Sequence, residues 1–252
     1  MKNLLKSNYL PYLTVGLGGI ALVLRRVLYT VAVDEKNLLA AGHPLEILLW
    51  LVTAAAAVLV IGSVWKLKGS NLYEDNFGAS LPAQAGCFAA ALGILLTVLF
   101  SGSRLMDSLK PAWKVLGILS APALVAAGLC RKAGKQPFFL LHLVPCVFFA
   151  IHMLCHYRIW SNNPQLQDYV FSLLGGIALA LFAYYQAAFA VGVGKRRMQL
   201  FTGLMGVFFC CVALSGSDYP LLYLGGGAWA ITDLCSFKPA PEKSAPEGEQ
   251  EE

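Results

Sequence analysis

Charge is what this sequence has least of. Asp, Glu, Lys and Arg together make up 13% of its 252 residues, against about 25% in a typical soluble domain. So little charge cannot coat a surface of this size in water. That excludes a soluble enzyme, a coiled coil and a disordered chain as descriptions of the whole. Long polar segments are missing too. The widest gaps between apolar runs, residues 31–44 and 66–80, are about 14 residues each, too small for a core of their own. No P-loop, G-x-S-x-G, H-E-x-x-H or dinucleotide-binding fingerprint occurs, no C-x-x-C-H haem attachment and no evenly spaced series of arginines. No polar segment carries a basic stripe interleaved with aromatics, which argues against a nucleic-acid partner. The seven cysteines are odd in number, lack a C-x-x-C spacing and fall mostly in apolar runs. They read as small apolar filler, and no cofactor is implied.

What is there is apolar length. Hydrophobic residues reach 58%, with a mean hydropathy of +0.64. A membrane-crossing helix needs about 20 mostly apolar residues. Eight stretches come forward: Tyr9–Leu28, Leu45–Trp65, Leu81–Phe100, Trp113–Cys130, Phe138–His156, Tyr169–Val193, Leu200–Leu214 and Tyr219–Leu234. The expected fold is all-α, a polytopic transmembrane helix bundle of about eight crossings with no soluble domain. The last two stretches are short. Ser215-Gly216-Ser217-Asp218 between them is turn chemistry, and Pro220 suits a first helical turn, so two tight crossings are expected rather than one re-entrant hairpin. Lys2 and Lys6 ahead of the first run mimic a secretory signal. Arg25 and Arg26 follow without a small-residue cleavage site, so the helix is expected to be retained. Two parts result: an integral membrane helical domain over 1–236 and a disordered, acidic, cytoplasmic tail over 237–252.

Lys and Arg set orientation. With eight crossings, one side collects 12 of the 19 and the other 7. Both termini are therefore expected in the cytoplasm and the bundle in the plasma membrane. The tail carries 2 − 5 = −3; with a net charge of +5 the rest of the chain carries +8. Such a basic body suits a bilayer of anionic headgroups. The lipid bilayer is the expected partner. The polar loop 69–77 could serve as a solvated connector or as a contact for a membrane or cytoplasmic protein.

Ionisable groups within apolar helices are the functional candidates, because lipid makes them costly. The fifth stretch holds His142, His152 and His156. At about 100° per residue, His152 lies about 80° and His156 about 40° from His142. All three share one arc, expected to face the interior. His152 and His156, four apart, could hold one metal ion, but no third ligand stands nearby in sequence, so no metal site is expected. The word His156-Tyr157-Arg158-Ile159-Trp160 also reads as an aromatic belt with a snorkelling arginine. Arg25 and Arg26 could clamp a carboxylate or phosphate, or snorkel to headgroups. Glu46, two residues after Pro44, suits a helix N-terminus. Tyr184, Tyr185 and Gln186 are polar groups that need hydrogen bonds inside the bilayer, and His142 is the expected partner of a tyrosine.

Three functions compete. The first is a permease-type transporter, or the membrane subunit of a complex, handling a small solute. Its ligand or proton site would draw on Arg25, Arg26, Glu46, His142, His152, His156 and Arg158. The second is a non-catalytic sensor or assembly factor. The third is a membrane-embedded enzyme acting on lipid or quinone through the fifth-stretch histidines.

Overall fold

The computed structural model describes residues 9–32, 43–65, 67, 69–100, 109–160 and 169–238, without the side chains of 158–160. The expectations placed on Lys2, Lys6, Lys66, Lys68, the Arg158 side chain and the tail beyond Lys238 lie outside the described residues.

Nine helices follow one another among the described residues: α1 (Tyr9–Val31), α2 (Pro44–Val64), α3 (Tyr73–Asn76), α4 (Leu81–Phe100), α5 (Lys110–Lys132), α6 (Leu140–Trp160), α7 (Val170–Ala190), α8 (Arg196–Ala213) and α9 (Pro220–Cys235). The fold is an all-α bundle. α1, α2, α4, α5, α6 and α7 are long and apolar enough to cross a membrane. α8 and α9, of 18 and 16 residues, are not in that group. Apart from the one-turn α3, each helix lies where an apolar run predicts it. α4 matches to the residue, and the other ends differ by at most four.

Consecutive helices from α4 to α9 pack side by side, and α9 returns to pack on α4. Six helices thereby close a ring, with a light α7–α9 contact across it. The α1–α2 hairpin lies outside, against α8. This arrangement explains the weaker hydropathy of α8. Ring neighbours cover it on one side and the hairpin on the other, so most of its residues are buried, Gln199 and Thr202 among them. The remaining helices expose large apolar side chains such as Val23, Val58, Leu99, Leu119, Leu154, Leu181 and Leu224. Apolar surface spread over so many helices is incompatible with water and fits lipid. The chain is an integral membrane protein.

Small residues set the tightest contact. Thr232 stands against Gly86, and Leu221 and Gly225 stand against the stretch from Ala89 to Gly93. A Cβ at Gly93 would sit 2.5 Å from the Leu221 carbonyl oxygen, and one at Gly225 would sit 2.6 Å from that of Ala89. Backbones that close need glycine. Isolated hydroxyls are satisfied locally: Thr14, Thr53, Thr97 and Ser120 each donate to the carbonyl four residues back. Gly216, at φ +94°, makes the α8–α9 turn and leaves room for the Tyr29 ring, 2.9 Å from where its Cβ would lie.

Gly225→Ala should lower the midpoint of thermal unfolding in detergent, at a cost of about 1–3 kcal/mol for the overpacked seam. Gly16→Ala, where nothing lies within 4 Å of the added carbon, should hold or slightly raise it. Equal midpoints for the two variants would count against the close α4–α9 seam.

Candidate functional site

Polar groups inside the bundle gather in two places. The first is a collar at the end where α3, α5, α7, α8 and α9 meet. Its centre is an ion pair: Arg131 Nη2 donates to Asp233 Oδ1 at 2.8 Å, and both side chains are almost fully buried. Arg131 also donates to the Ser236 hydroxyl at 2.6 Å and to the Gly78 carbonyl at 3.2 Å. Gln186 Nε2 donates to Asp233 Oδ2. The guanidinium lies 4.6 Å over the Phe77 ring. Both carboxylate oxygens are thus engaged, as a buried charge requires.

The loop before α4 belongs to this collar. α3 puts Tyr73 and Phe77 inward, where Phe77 meets Phe189 at 5.2 Å and Phe237 at 4.6 Å. Asn76 donates to the carbonyls of Ser70 and Leu72 and accepts from Arg196 Nη1 at 2.9 Å. Arg196 also donates to the Lys238 carbonyl, and Lys238 N donates to the Asn76 carbonyl at 2.9 Å. Of the two readings left open for 69–77, a fully solvated connector fails at Tyr73, Asn76 and Phe77, which are buried. Burial pushes the Tyr73 phenol up to about 12, against an opposing pull from Arg131. Phe237, expected to begin the disordered tail, packs on Phe77 and bridges to it. Sequence reasoning missed Asp233. The available signal was a lone carboxylate in an apolar helix.

The second cluster lines α6. His142, His152 and His156 are all buried, so the arc faces inward as expected. His156 is buried within the bundle, whereas Tyr157, the next residue of the aromatic-belt word, is half exposed. Trp113 Nε1 donates to His152 Nδ1 at 3.1 Å, so the His152 ring proton sits on Nε2, which has no hydrogen-bond partner. The rings of His152 and His156 are 4.3 Å apart, and both lie against the buried Tyr219, at 5.2 and 4.5 Å. His142 stacks parallel to Trp229 at 6.1 Å, and neither of its ring nitrogens has a partner. Trp229 lies one turn before Asp233 on α9, which ties the His142 ring to the collar.

The expected His142–tyrosine hydrogen bond does not form. Tyr184 is half exposed on the outer side of α7 and pairs with the Tyr185 ring at 5.3 Å. Gln186 lies two residues on, about 200° around the helix. Turning it toward Asp233 turns Tyr184 to lipid. The remaining residues of the expected ligand site also divide. Arg25 is buried in the seam of α1, α7 and α8, where it donates to the Val212 carbonyl at 3.0 Å and to the Tyr29 hydroxyl at 3.2 Å and lies 5.1 Å over Phe171. A cation there answers the carbonyls at the C-terminus of α8. Arg26 is exposed beside Leu22, Val27 and Leu214. Glu46 is half-buried in the first turn of α2, behind a cap in which His43 Nδ1 accepts from Leu45 N at 3.3 Å. α1 and α2 pack on α8, whereas α6 packs between α5 and α7. Hairpin and histidines thus belong to different seams. Among the described residues no group of three His, Cys, Asp or Glu is placed to hold a metal ion.

Arg131→Ala should cost about 3–5 kcal/mol, because it strands Asp233 in the core. Arg131→Met with Asp233→Leu should recover most of that loss in denaturant or thermal unfolding. A double variant no better than the single would show that the pair is not what the collar rests on. Tyr73→Phe should leave stability near neutral pH unchanged or higher, since its buried hydroxyl has no hydrogen-bond partner. In the wild type the unfolded phenol loses its proton near pH 10 and the folded one near 12, so stability falls as pH rises across that window. The difference between wild type and Tyr73→Phe should widen there, and parallel curves from pH 9 to 12 would contradict it.

No family model, curated protein or solved structure matches the chain.

Proposed function

We propose that the chain is a permease-type transporter that couples movement of a small solute to protons through the α6 histidines. The carrying observation is the inner face of α6, where three buried histidines lie along a closed ring of helices. His142 and the Nε2 of His152 are buried without hydrogen-bond partners. Ionisable groups held inside a membrane bundle are typical of proton relays and substrate paths. His142 to His152 is ten residues, or about 15 Å along the helix. Phe148 and Phe149 fill the interval and are fully buried. This places an apolar plug between two polar regions, as an occluded carrier needs. In this reading His152 and Tyr219 serve the outer half. His142, stacked on Trp229 one turn from Asp233, serves the inner half.

The orientation that goes with it puts both termini in the cytoplasm and the collar at the inner face of the plasma membrane. Arg131, Lys132, Lys135, Lys195, Arg196, Arg197 and Lys238 all belong to the collar end, and positive residues favour the cytoplasm. The segment 239–252 is then a cytoplasmic tail outside the membrane domain.

The test is proteoliposomes with a trapped pH-sensitive dye, challenged with small carboxylates, amino acids and sugar phosphates. At least one class should drive proton uptake beyond that of empty vesicles. His142→Gln and His152→Gln should each slow it about 100-fold, the scale of lost acid–base catalysis, while eluting as folded monodisperse protein. Unchanged uptake in both variants would remove the histidines from the mechanism. No solute-driven uptake at all, with a protein partner retained on purification from native membranes, would favour the assembly-factor reading instead.

A further inference from the structure

Beside the collar, away from the histidines, an unusual surface opens. The N-terminus of α8 and the residues around Gly69 form a cleft of about 600 Å³ lined by Leu67, Gly69, Asn71, Lys195, Arg196 and Arg197. No carboxylate lines it among the described residues. The cleft meets a second, apolar groove of about 190 Å³ between α2 and α8, lined by Ile61, Val64, Trp65, Met198 and Phe201. Arg197 and Met198 belong to both. A basic pocket thus continues into an apolar slot on the lipid-facing flank.

The chemistry of the cleft is that of an anion site. Lys195, the residue before α8, makes no side-chain cap, so the first backbone N–H groups of an 18-residue helix have no side-chain acceptor. Arg196 is more than nine-tenths buried in the pocket wall, and its Nε has no hydrogen-bond partner. Its other nitrogens are tied to Asn76 and to the Lys238 carbonyl, which fixes the guanidinium. Gly69 allows that approach, since a Cβ there would fall 2.3 Å from Arg196 Cδ. Lys195 and Arg197 are exposed. Arg197 leans over the Trp65 ring at 4.7 Å and donates to the Trp65 carbonyl at 3.3 Å. Trp65 itself is 62% exposed, as suits an aromatic residue at the membrane interface.

We infer that this pair of grooves is a binding site for one anionic phospholipid of the surrounding leaflet. The headgroup phosphate meets Lys195, Arg197 and the α8 N-terminus, and an acyl chain lies in the Ile61–Phe201 slot. The occupant is a lipid rather than a free anion because the basic cleft opens into an apolar slot that a phosphate alone would leave empty. Basic pockets between transmembrane helices are a recurring form of headgroup recognition. The site stands independently of the transport reading, because none of its residues touches the α6 histidines.

The experiment is native mass spectrometry of the full chain released from detergent after titration with phosphatidylglycerol, phosphatidylcholine or inorganic phosphate. One phosphatidylglycerol should stay bound where phosphatidylcholine does not. The exposed double variant Lys195→Gln/Arg197→Gln should weaken it about 30-fold, each cation near an anionic headgroup contributing about fivefold. Dihexanoyl phosphatidylglycerol, too short to fill the slot, should bind more weakly than the long-chain lipid. Unfolding midpoints of the variant should match the wild type, which separates lost binding from lost fold. Equal retention of both lipids, or full retention by the double variant, overturns the site. Displacement of the lipid by inorganic phosphate alone, with no dependence on chain length, makes it a free-anion site and overturns the lipid assignment.

Discussion

The ion pair between Arg131 and Asp233 is the constraint around which the rest of the bundle is arranged. A carboxylate inside an apolar helix is tolerable only with a full set of donors. Arg131 and Gln186 supply them from two other helices, and Ser236 gives Arg131 a further acceptor. Satisfying Asp233 therefore fixes α5, α7 and α9 against one another at one end of the ring. It also draws the α3 loop inward, because the face of the guanidinium needs cover and Phe77 provides it. The remaining pieces of the collar follow. Asn76 turns toward Arg196, and Phe237 closes over Phe77.

The other half of the ring is held by a different kind of contact. Around His152 the interior is aromatic rather than ionic, with one hydrogen bond from Trp113, the Trp113 ring stacked at 6.2 Å and the His156 and Tyr219 rings edge-on at 4.3 and 5.2 Å. A buried ion pair is unforgiving of displacement, whereas ring contacts tolerate a range of offsets. The two ends of the bundle are accordingly unequal. One is clamped by charge and the other is packed by shape.

The helices were legible in the sequence because lipid demands apolar length, and length survives without knowledge of neighbours. The inward arc of His142, His152 and His156 was legible for a related reason: 3.6-residue periodicity is local. What could not be read was pairing. Arg131 resembles any positive residue at a helix end, and its partner lies 102 positions away. Tyr73 and Phe77 sit in a polar loop whose composition suggests solvent, yet they are buried by residues more than a hundred positions distant. The mistaken pairing of His142 with Tyr184 had the right depth and the wrong rotation about α7. Gln186 decides that rotation, through a bond to a residue on another helix. Arg25 and Glu46 share one expected site with the histidines but belong to the hairpin outside the ring, a division set by ring closure and not by any local word.

Ring closure has a further consequence during synthesis. Arg131 leaves the ribosome 102 residues before Asp233, which at about 5–20 residues per second is a wait of about 5–20 s. Through that interval the guanidinium must be held by headgroups or by water at the membrane surface. α8, whose first turn holds Arg196 and Arg197, emerges in the same interval and gains the last part of its cover when α9 follows. The nascent protein is thus a set of inserted hairpins with an open seam between α4 and α8. Its last helix brings the carboxylate and the glycine face that close that seam together.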